Sequence, residues 1–408
     1  LLWLAAPGVA RWVSLPPRVT GVGPVSPADA RTLRLIARRT WRFFETFVSP
    51  EDHDLPPDNF QEDPQPVVAH RSSPTNFGLY LLSVTAARDF GWLGLIDMAA
   101  RLELTIDSLQ RLDRFRGHFY NWYETADLRA LEPRYISSVD SGNLAGHLVA
   151  LAQACEEYLN APLLSTEYLV GITDDIALLH ANIAALKQFQ HSDVVSIEEL
   201  ERAVDGIRKF NLQVPQNVEE WLAHFEILAT DADTIRDICE IFAAERSDRE
   251  LELVVWARAL RDDIKSHLRD CQRLMAWLPE AKTLLGERLP PSIKTALTRA
   301  PTLLDLASLC NDALTALEQA ADDESRGLAK KIERSLEEAQ LLRASLESIT
   351  AQARQLSDDM DFGFLFNDTL KLFSIGYRIA DRELDSSYYD LLASEARLTS
   401  FIAIAKGD

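Results

Sequence analysis

At 408 residues, with 47% hydrophobic and 26% charged residues, the chain is long enough for two or three globular domains and too apolar to be disordered throughout. Its 63 carboxylates exceed its 42 basic residues, a formal net charge of -21. That balance excludes a general nucleic-acid binder, which needs a cationic face, and speaks against docking on anionic lipid through an overall basic surface. The chain opens on LLWLAAPGVARWVSL, apolar apart from Arg11 and Ser14. A spanning helix needs about 20 apolar residues, so residues 1–15 read either as a core helix or as the last turns of a membrane span. No basic leader region or cleavage site accompanies them. Ala28–Thr46 follows as an amphipathic helix, with Leu33, Ile36, Trp41, Phe44 and Phe47 expected to face inward.

Ser49–Ser73 holds five prolines and reads as a loop. Helices are expected over Thr75–Phe90, Leu95–Leu112 and Leu144–Leu159, with an irregular aromatic stretch over Gly117–Asp140. Residues 161–360 change character: 22 Lys and Arg stand against 36 Asp and Glu, with 8 of the 34 aromatics. Glu198–Phe210, Val218–Leu228, Asp231–Arg246, Glu250–Trp277 and Ser325–Met360 carry apolar residues at spacings of three and four, which predicts an antiparallel helical bundle. Its charge runs read as solvated faces. Strand signals are few; Asp361–Ile379 predicts a hairpin around Asn367-Asp368. The four cysteines sit in helical apolar patterns without CxxC pairs and read as buried thiols.

The chemistry-bearing residues gather in two long loops, and long loops in compact domains are usually functional. The first supplies Asp58, Asn59, Gln61, Glu62, His70, Arg71 and Asn76. The second supplies His118, Tyr120, Asn121, Trp122, Tyr123, Glu124, Asp127, Arg134, Asp140, Ser141 and Asn143. Flat aromatics beside carboxylates and amides suit a sugar, whose C–H face packs on a ring while polar groups take its hydroxyls. Glycoside chemistry would further require two carboxyl groups at a set separation. The same residues equally fit a packed helix junction, with Asp140 as a helix cap and Asp58 in a turn after two prolines. A carbohydrate site and a non-catalytic helical interaction module therefore stand level on this reading. Phosphate-binding glycine loops and a GxSxG elbow are absent, and neither His70 nor His118 has an i,i+4 partner of metal-binding type, so no metal site is expected.

Three runs, HRSSPTNFGLYLLSVTAARDFGWLG (70–94), RFRGHFYNWYETADLRALEPRYISSVDSGNLAGHLVALAQAC (114–155) and LFSIGYRIADRELDSSYYDLLASEARLTSFIAIAKGD (372–408), closely resemble the bacterial cyclic β-1,2-glucan synthases. ARRTWRFFETF (37–47) and LPPDNFQEDP (55–64) fit as well. The resemblance implies an all-α fold: an incomplete (α/α) toroid or barrel interrupted by an inserted antiparallel helical bundle. Residues 1–29 would end a membrane-associated segment and its linker, 30–160 begin the barrel, 161–360 form the insertion and 361–408 return to the barrel.

The implied function is a segment of the glucoamylase-like domain that cyclises β-1,2-glucan by transglycosylation, with a related free-standing glucan hydrolase or phosphorylase as the alternative. The catalytic carboxylates are expected beyond Asp408. Trp122, Tyr123, Asp140 and Asn143, then Asp58, His70, Arg71 and Asn76, are the expected glucan contacts, with Glu124 and Asp127 in support. No cofactor is expected in this segment; UDP-glucose and a divalent metal are implied for the glycosyltransferase region of the parent protein. The expected partners are β-1,2-glucan, the remaining domains of the same polypeptide and the inner membrane near the N-terminus, on its cytoplasmic face.

Overall fold

The computed structural model describes residues 2–14, 25–189, 194–245, 252–318, 322–389 and 394–408. The linker at 15–24 and the expected helix ends at Arg246 and Glu250 lie outside these residues. Its helices are α1 (Leu2–Ser14), α2 (Pro27–Phe47), α3 (Pro74–Asp89), α4 (Leu95–Arg111), α5 (Ser138–Asn160), α6 (Glu167–Phe189), α7 (Val194–Asn211), α8 (Val218–Glu245), α9 (Glu252–Leu274), α10 (Trp277–Leu285), α11 (Pro291–Thr298), α12 (Leu303–Leu317), α13 (Asp323–Asp358) and α14 (Ser394–Lys406). The architecture is the all-α one expected: helices dominate and the strands are few and short.

Local chemistry sets the helix starts. Ser26 and Ser73 cap α2 and α3 by accepting the backbone N–H three residues on, each with proline at the next position. Thr302 and Asp305 close a reciprocal capping box on α12. Asp270 of α9 accepts the N–H groups of Leu95 (2.6 Å) and Ile96 (3.1 Å), capping α4 from a remote helix. The stretch expected as two helices around residue 230 is the single helix α8, and the one expected to run to Trp277 breaks between α9 and α10.

α3 and α13 pack along α5; α6 and α9 pack against each other, α6 also against α2 and α9 against α4. α6 is long and apolar enough to cross a membrane by composition, yet it is a core helix here, half buried and carrying paired aspartates.

The strands are short. β1 (Phe60–Gln61) and β2 (Val67–Val68) form a hairpin inside the first loop, and β4 (Arg114–Phe115) and β5 (His118–Phe119) another. β3 (Arg71–Ser72) pairs antiparallel with β6 (Tyr123–Glu124), opposing Arg71 to Glu124 and Ser72 to Tyr123. β7 (Tyr135–Ser137) pairs with β10 (Gly376–Arg378), which also pairs with β11 (Glu383–Leu384). The hairpin expected around Asn367-Asp368 is β8 (Phe366–Asn367) and β9 (Leu372–Phe373).

Residues 361–408 thus fold back onto the first part. The β7–β10 pairing is one tie; Thr399 Oγ1 donating to the Ser138 carbonyl (2.8 Å) is another. A third is at Gly117, with φ +80°, where a Cβ would run into the carbonyl of Asp359. Beside it, the Asp361 N–H donates to Arg116 O at 3.1 Å. Gly117→Ala is therefore expected to lower stability by about 2 kcal/mol, read as a fall in urea midpoint. An unchanged midpoint would mean that this crossing does not hold the return segment.

Two expectations need correction. Leu33 and Ile36 face outward, while α2 turns Arg34, Arg38 and Trp41 toward the core. The phase is set by ion pairs: Arg34 binds Asp174 and Arg38 binds Asp175, adjacent residues on α6. For the same reason the charges of the middle region are not all solvated, since Asp174, Asp175, Asp263 and Asp270 are buried against arginines. All four cysteines are buried and free, and desolvation pushes their thiols above the ordinary value.

Candidate functional site

The β3–β6 pairing brings the two long loops together beside the N-termini of α3 and α5. Each loop then contributes to one continuous network. Arg71 donates from Nε (3.2 Å) and Nη2 (3.0 Å) to Asp58 Oδ2, and Asn76 Nδ2 donates to Asp58 Oδ1 at 3.4 Å. The Arg71 guanidinium lies 4.6 Å from the Trp122 ring centroid, a cation–π stack. The Trp122 indole N–H donates to the Asn121 side-chain oxygen (2.9 Å), and the Asn121 amide nitrogen donates to Asp140 Oδ2 (3.1 Å). The other Asp140 oxygen accepts the Thr75 hydroxyl at 2.6 Å, and Thr75 accepts from Asn143 Nδ2 at 3.2 Å.

Six of the eight expected contacts, Asp58, Arg71, Asn76, Trp122, Asp140 and Asn143, are therefore joined. All but Arg71 are half-buried or partly exposed; Arg71 itself is exposed. The helix-cap alternative for Asp140 does not hold. The cap is Ser137, whose Oγ accepts the Asp140 N–H at 3.2 Å. Asp140 sits three residues into the helix start, with its carboxylate spent on Thr75 and Asn121. The expected start of this helix near Leu144 falls six residues late, because Ser137 rather than Asp140 opens it.

Tyr123 is a correction. It is fully buried, its hydroxyl donating to Asp113 O (2.6 Å) and accepting the Tyr120 N–H (2.7 Å), and burial pushes its phenol far above the ordinary value. Successive strand residues face opposite ways, so Tyr123 turns into the core while its neighbour Trp122 meets Arg71. His70 does not join the network either; its Nδ1 meets the buried Asp52 carboxylate at 3.0 Å, and Asp52 also accepts the Thr125 hydroxyl. More than half of the His70 side chain is open to solvent beside Arg71. Glu124 and Asp127 are both drawn to Arg129, at 3.8 and 3.3 Å, in a local turn. His118 is a core histidine: its Nε2 meets Asp361 O at 2.8 Å, and desolvation lowers its pKa to about 4.

Thr75 and Asn121 complete the network, and neither stood among the expected contacts. Asn121 is signalled only by its position beside Trp122, and Thr75 by its place just inside the Ser73 cap. Among the described residues, no group of three or more His, Cys, Asp or Glu side chains is placed to hold a metal ion. A separate hollow of about 590 Å³ lies between α14 and the β8–β9 hairpin, lined by Phe366, Phe373 and Tyr389 among others. None of the network residues lines it. Its hydroxyls from Ser138 and Thr399 are already bonded to backbone carbonyls, so it offers a mainly apolar wall.

No family model matches the chain. All 408 residues align, at 38% identity, with a segment of the cyclic β-(1,2)-glucan synthase NdvB of Rhizobium meliloti (strain 1021). The chain spans 12% of the length of that relative. Among solved structures, a Bacteroides fragilis NCTC 9343 protein described as a glucoamylase aligns over 40% of this chain and 37% of its own, at 19% identity and a TM-score of 0.28.

Proposed function

From this whole-length homology to one segment of a cyclic β-(1,2)-glucan synthase, we propose that the chain forms a glucan-binding cleft in the domain that cyclises β-1,2-glucan by transglycosylation. The continuous network from Asp58 through Arg71, Trp122, Asn121, Asp140 and Thr75 to Asn143 carries this reading. A sugar ring packs its C–H face against the Arg71–Trp122 pair, and its hydroxyls reach the carboxylates and amides alongside. Both carboxylates already accept side-chain hydrogen bonds, so they are held as fixed acceptors for hydroxyls. The network's task is thus to grip and orient; bond cleavage falls to carboxylates elsewhere in the parent protein. His70, with Asp52 behind it, borders the cleft.

On the same reading the chain divides into a membrane-proximal segment (1–29), the start of the barrel (30–160), an insertion (161–360) and a return to the barrel (361–408). The remaining domains of the parent polypeptide are its partners, and UDP-glucose with a divalent metal serves the glycosyltransferase region. The exposed apolar residues Leu79, Val149, Phe401 and Ile404 are available to such neighbours. The whole lies at the inner membrane, on its cytoplasmic face.

Titration calorimetry with β-1,2-linked gluco-oligosaccharides tests the cleft. Trp122→Ala is expected to weaken binding by about tenfold, the effect of losing a stacking aromatic at a contact centre. Equal affinity of the variant and the parent chain would refute the assignment.

A further inference from the structure

The pairing of β7 with β10 does more than tie down the return segment. Tyr135 and Arg378 oppose each other across it, and so do Ser137 and Gly376. Opposed residues share a face, as do alternate residues along a strand, so these four stand on one side. Ile136 and Tyr377 stand on the other, where Ile136 is buried and Tyr377 stacks on Phe115. The side that carries Tyr135 adjoins the network. Ser137 Oγ accepts the Asp140 N–H, and the Tyr135 carbonyl accepts the Asn121 N–H at 2.8 Å. Gly376 makes room for the ring: a Cβ there would run into the Tyr135 phenol, so the ring lies across bare backbone. Tyr135 is nonetheless partly exposed. Its hydroxyl stands among Asp385, Tyr389 and Arg378; burial, then Asp385 and Tyr389, pushes the phenol up to about 12, so it keeps its proton. Asp385 is held in place by accepting the Ser387 N–H on Oδ1 at 3.0 Å.

We propose that Tyr135, with Asp385 beside it, forms a second glucosyl subsite, which takes a further unit of the β-1,2-glucan chain held by Arg71 and Trp122. The phenol ring receives the C–H face of the pyranose, while the Asp385 carboxylate accepts from its hydroxyls. The Arg378 guanidinium, opposite Tyr135, is occupied by Asp381 (3.0 Å) and Glu383 (3.4 Å), so it borders the subsite without offering a free positive charge to an anion. That favours a neutral, hydroxyl-rich ligand over a phosphate. Tyr135 comes from the second long loop and Asp385 from the return segment, so the subsite forms only when β7 and β10 pair. The return segment then has a binding task as well as a structural one. The inference rests on the glucan reading of the network and extends it by one position along the ligand.

Calorimetry on the 408-residue chain with two β-1,2-linked glucose oligomers, the disaccharide and the hexasaccharide, tests it. The hexasaccharide is expected to bind at least about tenfold more tightly, the effect of a second stacking aromatic. Tyr135→Leu should abolish that gain and leave the disaccharide affinity as it was, whereas Trp122→Ala weakens both. Labelling with 3-fluorotyrosine reads the contact with the strand pairing undisturbed. The Tyr135 fluorine resonance, assigned by its loss in Tyr135→Phe, should shift with the hexasaccharide and stay in place with the disaccharide. Equal affinity for the two lengths, a gain that survives Tyr135→Leu, or a Tyr135 resonance that the hexasaccharide does not move overturns the subsite and leaves the Trp122 site standing. Binding of neither oligomer removes the cleft reading and the subsite with it.

Discussion

Arg38→Met is expected to remove about 3–5 kcal/mol of folding stability, seen as a large drop in urea midpoint. The guanidinium of Arg38 is wholly buried and meets three carboxylates: Asp175 at 2.8 Å, Glu45 at 2.7 Å and Asp263 at 3.3 Å. The rings of Trp256 and Trp92 lie 5.4 and 5.7 Å from it. These contacts tie α2 to α6 and α9. Methionine fills much of the same volume but leaves the charge on the buried Asp175–Asp263 pair without a counter-charge, which is why the loss exceeds that of a surface pair.

The same cluster has a pH dependence with a definite sign. Asp175 and Asp263 meet the same Arg38 guanidinium, and Asp175 Oδ2 has no hydrogen-bond partner among the described residues, so the buried pair is eased by holding a proton. Burial, only partly opposed by Arg38, raises Asp175 above the ordinary carboxylate range and Asp263 well above it. The native state therefore keeps a proton that the unfolded chain gives up near about pH 4. The stability from this proton is complete below that pH and drains away as pH rises through the native value of Asp263. Asp263→Asn replaces the group that holds this proton with an amide that stays neutral at every pH. Its stability curve should fall less than the parent's as pH rises; two parallel curves would rule out the retained proton.

Asp140→Asn is expected to reduce affinity for β-1,2-linked oligosaccharides by about ten- to a hundredfold while leaving the fold intact. Bonds to a charged acceptor contribute about 1.5–3 kcal/mol each. The amide can accept from Thr75 or from Asn121 but presents a donor to the other, so one of the two bonds held by the carboxylate is lost or reversed. The helix start survives, because Ser137 caps α5. Calorimetry and the thermal midpoint read the two effects separately. A parallel loss of affinity and midpoint would make Asp140 a structural residue, and full affinity in the variant would remove it from the cleft.

Much of the fold is legible in the residues themselves. Ser26 and Ser73 beside prolines mark the starts of α2 and α3, since a cap and its backbone partner lie three residues apart in the same segment. Proline density marks the first loop as non-helical, and the aromatic and amide content of both loops marks them as a candidate sugar site. Strand alternation around Asn367-Asp368 marks the β8–β9 hairpin. Thr75 is marked only by its place just inside the Ser73 cap, because its hydroxyl acquires meaning when Asp140 and Asn143, more than sixty residues away, close on it.

The sequence by itself determined the helical class, most helix spans and the pool of polar and aromatic loop residues, because caps, prolines and spacings act within a few residues. The tertiary structure alone decided the phase of α2, the burial of Tyr123 and the closing of Asp58, Arg71, Trp122 and Asp140 into one network. The physical reason is range. Apolar spacing alone turns Leu33 and Ile36 inward, whereas a buried Arg38 is stable only when Asp175 and Asp263 arrive from helices 137 and 225 residues further along.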